Sequence, residues 1–210
     1  MGTSFVTIKN LKIVKTCGTY GAGVSSQSRS NNNTVTNCRI NITATSGSTN
    51  AYGAGICGST ISTTSTGINN TIKNCKIVGG YAGVALYGSS TAVFSNGNSI
   101  IACDISGSYL YGIYDYYQNL NTVTDNRIFL TSATNTYGLY AYYFQNNIID
   151  RNSIVAAYLD LYIYNTNNVG TQRMSCSHTL ANLNRPYTFP TNFGMYALYN
   201  VNGDFKHHTI

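Results

Sequence analysis

The sequence has no tryptophan and no glutamate, only two prolines, and charged side chains at 9% of its 210 residues. Alanine is scarce, and so are the long straight-chain helix formers Lys, Arg, Gln and Met, which argues against a helical protein. No apolar run approaches the ~20 residues that a membrane-spanning helix needs. The Met1-Gly2-Thr3-Ser4 start lacks a basic-then-apolar pattern, so no signal peptide is expected and the chain reads as a mature or excised segment. Apolar content of 43% argues against disorder. The formal net charge of +6 comes from missing acids rather than from a dense basic tract, which argues against nucleic-acid binding.

What the chain does have is a repeat. Asn33-Thr34-Val35-Thr36-Asn37-Cys38-Arg39-Ile40 returns as Asn70-Thr71-Ile72-Lys73-Asn74-Cys75-Lys76-Ile77. Degenerate copies run from Asn98 to Ile105, Asn121 to Ile128 and Asn147 to Ile154, and an earlier one from Val6 to Ile13. Between the copies stands a second block, a glycine followed by an aliphatic residue and often a tyrosine: Gly23-Val24, Gly55-Ile56, Gly83-Val84, Gly112-Ile113, Gly138-Leu139 and Gly194-Met195. Asp160 replaces the glycine before Leu161. Units of varying length, each with two or three short strands and Asn/Gly/Ser/Thr-rich connections, predict one turn per unit of a parallel β-solenoid, like stacked on like. About seven strand blocks at ~4.8 Å per step predict a stack on the order of 30 Å tall.

The Asn-x-(Ile/Val)-x-x-(Asn/Cys)-x-Ile spacing resembles the repeats of right-handed parallel β-helices of the pectin-lyase-like superfamily, over residues 5 to 165 with a last rung at 193–201. The resemblance implies an all-β fold, a single right-handed parallel β-helix of about seven irregular coils. It leaves activity open among polysaccharide lyases and hydrolases, phage tailspikes and non-enzymatic surface adhesins.

In such a stack each column of the repeat becomes a row of neighbours. Ile8, Val35, Ile72, Ile100, Val123 and Ile149 form one aliphatic column, and Ile13, Ile40, Ile77, Ile105, Ile128 and Ile154 a second, as a buried strand face requires. Leu11, Cys38, Cys75, Cys103, Asn126 and Asn152 lie between them and are expected to point inward. The resemblance implies that the asparagines there form an internal ladder. The next residue alternates outward and makes a basic face of Lys12, Arg39, Lys76 and Arg127, interrupted by Asp104. It reads as a solvated face that discourages aggregation or as an attractant for acidic polysaccharide. Behind the second block, Tyr114, Tyr140, Tyr162 and Tyr196 form one column and Tyr116, Tyr142 and Tyr164 another, both expected outside. Such a face is either a ligand or partner surface or a stack that holds the sheet together. The glycine column reads as structural, through positive φ or close packing.

Periodicity fails at 166–192, where Pro186 and Pro190 lie with His178 and Arg185. The chain therefore divides into coils at 1–165, an irregular excursion or cap at 166–192, and a last strand with a polar tail at 193–210, where His207 and His208 lie. The six cysteines, at 17, 38, 57, 75, 103 and 176, show no zinc-like spacing, and those in the inward column are expected to be free thiols. A Cys17–Cys57 bridge has no support in their offsets. No metal and no cofactor are expected. The best catalytic candidates are Asp125 and Asp150, in adjacent rungs and one position out of register, with Arg127 and Arg151 nearby. The sequence thus points to a non-catalytic extracellular or cell-surface scaffold, active in adhesion, carbohydrate contact or filament assembly. The opposing reading is a polysaccharide lyase, hydrolase or tailspike-type depolymerase. The expected partners are polysaccharide and, end to end, further copies or other surface proteins.

Overall fold

A computed structural model describes residues 3–17, 20–27, 30–44, 50–56, 67–88, 95–130, 135–164, 174–177, 180–181, 193–198 and 203–206. Among these every regular element is a strand, and every strand pairing is parallel. Three sheets run the length of the stack. The first joins Thr7–Lys9, Thr34–Thr36, Thr71–Lys73, Ser99–Ile101, Thr122–Thr124, Ile148–Asp150, Met174–Ser177 and Gly203–Lys206 in that order. The second begins at Lys12–Cys17 and Arg39–Ala44 and ends at Ser153–Ala156 and Leu180–Ala181. The third runs from Tyr20–Ser25 through Tyr111–Asn119 and Tyr137–Gln145 to Phe193–Leu198. The chain is a right-handed parallel β-helix: the repeat predicts the parallel stack, and the family resemblance implies its hand.

Both aliphatic columns are in register. Ile8 pairs with Val35, Val35 with Ile72, and Ile40 with Ile77, and the pairing continues to Ile149 and Ile154. From the second coil onward these side chains are buried, each worth about 1.5–3 kcal/mol against exposure. A left-handed residue turns the chain between the first and second sheets: Asn10, Asn37, Asn74, Ala102, Asp125 and Arg151, with φ between 50° and 59°. Asparagine and aspartate tolerate that conformation best, which explains their recurrence at this corner.

The corner aims the following residue into the core, where Cys38, Cys75, Cys103, Asn126 and Asn152 are at most 2% exposed. Leu11, expected with them, is instead 51% exposed. It sits on the first coil, which has a neighbour on one side only; Phe5, Val6 and Val14 are exposed there as well.

The asparagine ladder is more extensive than expected. Asn126 Oδ1 accepts the Cys103 N–H at 2.9 Å, and Asn152 Oδ1 accepts the Asn126 N–H at 3.0 Å. A second, longer ladder runs through Asn33, Asn70, Asn98, Asn121 and Asn147, the first letter of every full repeat. The Oδ1 atoms of Asn33, Asn70, Asn98 and Asn121 accept the backbone N–H one coil back at 2.9–3.0 Å, and Asn147 Oδ1 accepts that of Asn121. Their amide N–H groups donate to carbonyls such as Thr3, Ser30 and Gly67. Buried polar groups are thereby satisfied along the axis, which lets amides stand inside an apolar core.

The glycine column needs one correction. Ala54 pairs with Val24 and Val84, so the glycine in register is Gly53, not Gly55. Of positive φ and close packing, the second is the reason for the column. A Cβ on Gly23, Gly53, Gly83, Gly112 or Gly138 would lie 2.1–2.5 Å from the Cγ2 of Ile40, Ile77, Ile105, Ile128 or Ile154. The isoleucine column of one sheet excludes side chains from the other. Asp160, which takes the glycine's place, is fully buried and its Oδ1 accepts the Ala156 N–H at 2.6 Å.

The break at 166–192 is narrower than expected. Met174–Ser177 pairs with Ile148–Asp150, and Leu180–Ala181 with Ser153–Ala156, so both continue the stack inside that stretch. Gly203–Lys206 then pairs with Met174–Ser177, in the segment expected to be a polar tail. Cys57, His178, Arg185, Pro186, Pro190, His207 and His208 lie outside the described residues.

Candidate functional site

The tyrosine columns stand as the repeat places them, on the outer side of the third sheet. Tyr114 pairs with Tyr140, Tyr140 with Tyr162, and Tyr162 with Tyr196; Tyr87, Tyr116, Tyr142 and Tyr164 follow in the parallel column. Residues between them point the other way, since Asp115, Ala141 and Ile163 are fully buried. The rings stack face to face. Centroids are 5.5, 4.7 and 5.5 Å apart along Tyr114–Tyr140–Tyr162–Tyr196, with planes within 12°. Along Tyr87–Tyr116–Tyr142–Tyr164 they are 5.0, 5.0 and 4.4 Å apart, with planes within 5°. Each such pair is worth about 0.5–1.5 kcal/mol beyond burial. Inner rings of the ladder are covered on both faces, so the face offers edges and hydroxyls to its surroundings, and every one of these tyrosines is half-buried.

A third ladder escaped the sequence reading. Tyr117 and Tyr143 adopt φ of 54° and 51°, and their rings stack at 4.9 Å, at right angles to Tyr116 and Tyr142. The signal was the tyrosine doublet at 116–117 and 142–143. The left-handed turn there sends Gln118 and Phe144 inward.

Burial raises the phenol pKa values of Tyr87, Tyr114, Tyr116, Tyr140, Tyr142 and Tyr162. Tyr114 and Tyr140 are pushed well above the ordinary range, first by burial and then by neighbouring phenols, and Tyr142 is pushed up to about 12. All remain neutral hydrogen-bonding groups at physiological pH.

Asp125 and Asp150 do come together. Arg151 donates from Nε and Nη2 to the two Asp125 oxygens at 2.7 and 2.8 Å, and from Nη1 to Asp150. The Arg151 guanidinium lowers the Asp125 pKa, chiefly by hydrogen bonding. A general acid in glycoside cleavage needs the opposite shift. The arrangement is an ion-paired clamp between two coils.

Lys12, Arg39, Lys76 and Arg127 stand exposed in one column along the second sheet. Asp104 lies 3.7 Å from Lys76 and 3.6 Å from Arg127, so two of its four cations are already paired.

The three described thiols stand one per coil. The Sγ atoms of Cys38, Cys75 and Cys103 each donate to a carbonyl two residues back, at 3.3, 3.2 and 3.5 Å. The Cys103 pKa is raised, first by its hydrogen bond with the Cys75 side chain and then by burial. All three are free cysteines.

No curated protein matches the chain. Residues 4–171 match the family described as periplasmic copper-binding protein (NosD), and with four-fifths of its length inside that match the chain belongs to the NosD family of parallel β-helix proteins.

Proposed function

We propose that this chain is a non-catalytic β-helix scaffold of the cell envelope whose tyrosine face is a contact surface for a glycan. The twin tyrosine ladders carry this reading. They place in-register hydroxyls and aromatic edges at rung spacing on one side of a rigid stack. Phenols that stay neutral suit an uncharged, hydroxyl-rich partner. The family's description as periplasmic supports an envelope location.

The same description raises copper. Copper(I) favours soft sulfur ligands converging on one point. Here the described thiols are core residues, each already hydrogen-bonded to a carbonyl, and among the described residues no group of three His, Cys or Asp side chains could hold an ion. The described residues do not fit a copper site.

The test is binding to immobilised neutral polysaccharides. Wild type should be retained, and a Tyr116→Ser/Tyr142→Ser variant should keep its β-rich circular dichroism and lose retention. An unfolded variant would assign the ladders to stability instead. The depolymerase reading is tested alongside, by glycan degradation with wild type and Asp125→Asn. We expect no turnover from either; turnover lost in the variant would establish an enzyme.

A further inference from the structure

The outer side of the third sheet is interrupted beside the ladders. The column beside the ladders runs Tyr111, Tyr137 and then Leu159, in register. Where the ring gives way to leucine, a hollow of about 250 Å³ opens, lined by Tyr137, Tyr158, Leu159, Tyr162 and Tyr196. Two of its walls, Tyr162 and Tyr196, are rings of the ladder; Tyr137 meets Tyr158 at 77° and Tyr162 at 84°, so these rings stand edge-on to one another instead of closing face to face. Its frame is rigid. The Thr136 carbonyl accepts the N–H groups of both Tyr158 and Leu159 at 3.1 Å, and the Thr136 hydroxyl oxygen accepts that of Ala157 at 2.7 Å.

Charge narrows the occupant. None of the described lining side chains is a carboxylate, and the chain's net charge is +6, which disfavours a cation despite the aromatic walls. None is basic either, which disfavours an anion such as a uronate. What remains is a neutral group with an apolar face and several hydroxyls. The volume lies below the ~300–1,000 Å³ of sites for drug-sized ligands, so a single ring is accommodated.

We propose that this hollow is a binding site for one neutral pyranose unit, with Leu159 as its floor and the tyrosines as aromatic walls and hydroxyl partners. It rests on the glycan-contact reading and narrows it, since the ladders present ring edges whereas the hollow presents a concavity. The site would hold a terminal sugar or a single unit of a longer chain.

The probes are methyl β-D-glucopyranoside, methyl β-D-galactopyranoside, methyl α-D-mannopyranoside and N-acetylglucosamine, with glucuronate and choline as charged controls. Binding is followed by saturation-transfer NMR and tyrosine fluorescence, the latter unobscured because the chain has no tryptophan. At least one neutral sugar should bind, and both controls should bind at least tenfold more weakly. Leu159→Phe, which fills the hollow, and Tyr158→Ala, which removes a wall outside the ladders, should each lower that affinity at least tenfold. Val14→Ser, on the exposed first coil, should leave it within twofold. Should Leu159→Phe fail to fold, Tyr158→Ala decides. The proposal is overturned if no neutral sugar binds, if choline or glucuronate binds as well, or if affinity survives in the folded hollow variants. Polysaccharide retention that persists in Leu159→Phe would uphold the face and reject the hollow. Monosaccharide binding without polysaccharide retention would do the reverse.

Discussion

The two halves of the stack solve the same columns with different chemistry. At the inward corner the early coils carry Cys38, Cys75 and Cys103, and the later ones Asn126 and Asn152. On the outer side of the third sheet, Ser25, Gly55 and Ala85 in the early coils give way to Tyr114, Tyr140, Tyr162 and Tyr196. Where residues are small, a single ring lies over the sheet. Tyr52 is fully buried, with ring atoms 2.9–3.0 Å from where a Gly55 Cβ would stand, and its hydroxyl meets Ser25 Oγ at 2.8 Å. Where every coil carries a ring, none can lie down, and they stack on one another. The difference teaches that a solenoid column is a choice made collectively: each residue's environment is its own equivalent one coil away.

That contrast can be broken most forcefully at the long asparagine ladder, which spans both halves. Asn98 Oδ1 accepts from both the N–H and the amide of Asn70, and its own amide donates to Gly67 O and Gln118 Oε1. Asn98→Ala strands several buried groups and should cost about 4 kcal/mol in urea unfolding, taking ~1–3 kcal/mol for each unsatisfied group. A loss below about 1 kcal/mol would mean that the ladder is dispensable.

Exchanging the corner chemistries sharpens the comparison. Asn126→Cys should cost about 2 kcal/mol, because a thiol accepts the Cys103 N–H only weakly and cannot replace the amide's bonds to Ile100 O and Asn152 Oδ1. Cys75→Ala removes only a small buried side chain and should cost about 1 kcal/mol. Equal losses would show that the amide's hydrogen bonds contribute nothing beyond packing. The native Cys75 and Cys103 thiols should also resist alkylation until the chain is denatured, since both are at most 2% exposed.

Two aspartates of the later coils give smaller effects of opposite sign. Asp115 stands in the core between Leu86 and Ala141, fully buried, with neither carboxyl oxygen hydrogen-bonded. Burial raises its pKa well above the ordinary value. Its stabilising contribution is complete below the unfolded carboxylate's pKa of ~4 and is lost as pH rises through the folded value. Asp115→Asn should therefore gain stability relative to wild type at pH 8 and none at pH 4. A difference that does not change with pH would place the carboxyl in a polar site. Asp125, lowered by Arg151, contributes above the unfolded value and loses that contribution as pH falls. Because the pair is exposed, Asp125→Asn should shift the thermal midpoint only slightly, at neutral pH and not in acid.

Much of this was legible in the letters. Ile40 over Ile77, the outward tyrosines and the meeting of Asp125 with Asp150 all follow from counting equivalent positions. The misses have a common cause. Gly53 and Gly55 both sit beside a small or aliphatic residue, and strand register and the position of the Ile77 methyl separate them. The ladder from Asn33 to Asn147 was written in the repeat's first letter, yet in an asparagine-rich chain that letter stands out little. The strands at Met174–Ser177 and Leu180–Ala181 carry none of the repeat's consensus and show themselves only by pairing.

Sequence alone determined much of what runs along the axis: the parallel stack, the buried isoleucine columns, the basic face and the twin tyrosine ladders. The reason is that in a solenoid the neighbour of a residue is its own equivalent one repeat away. Tertiary structure alone decided what runs across the axis. The glycine that yields to an isoleucine on another sheet, the guanidinium shared by two aspartates and the hollow opened at Leu159 depend on how corners bring different columns together. Those distances are set by backbone dihedrals and side-chain volumes, for which the repeat has no letter.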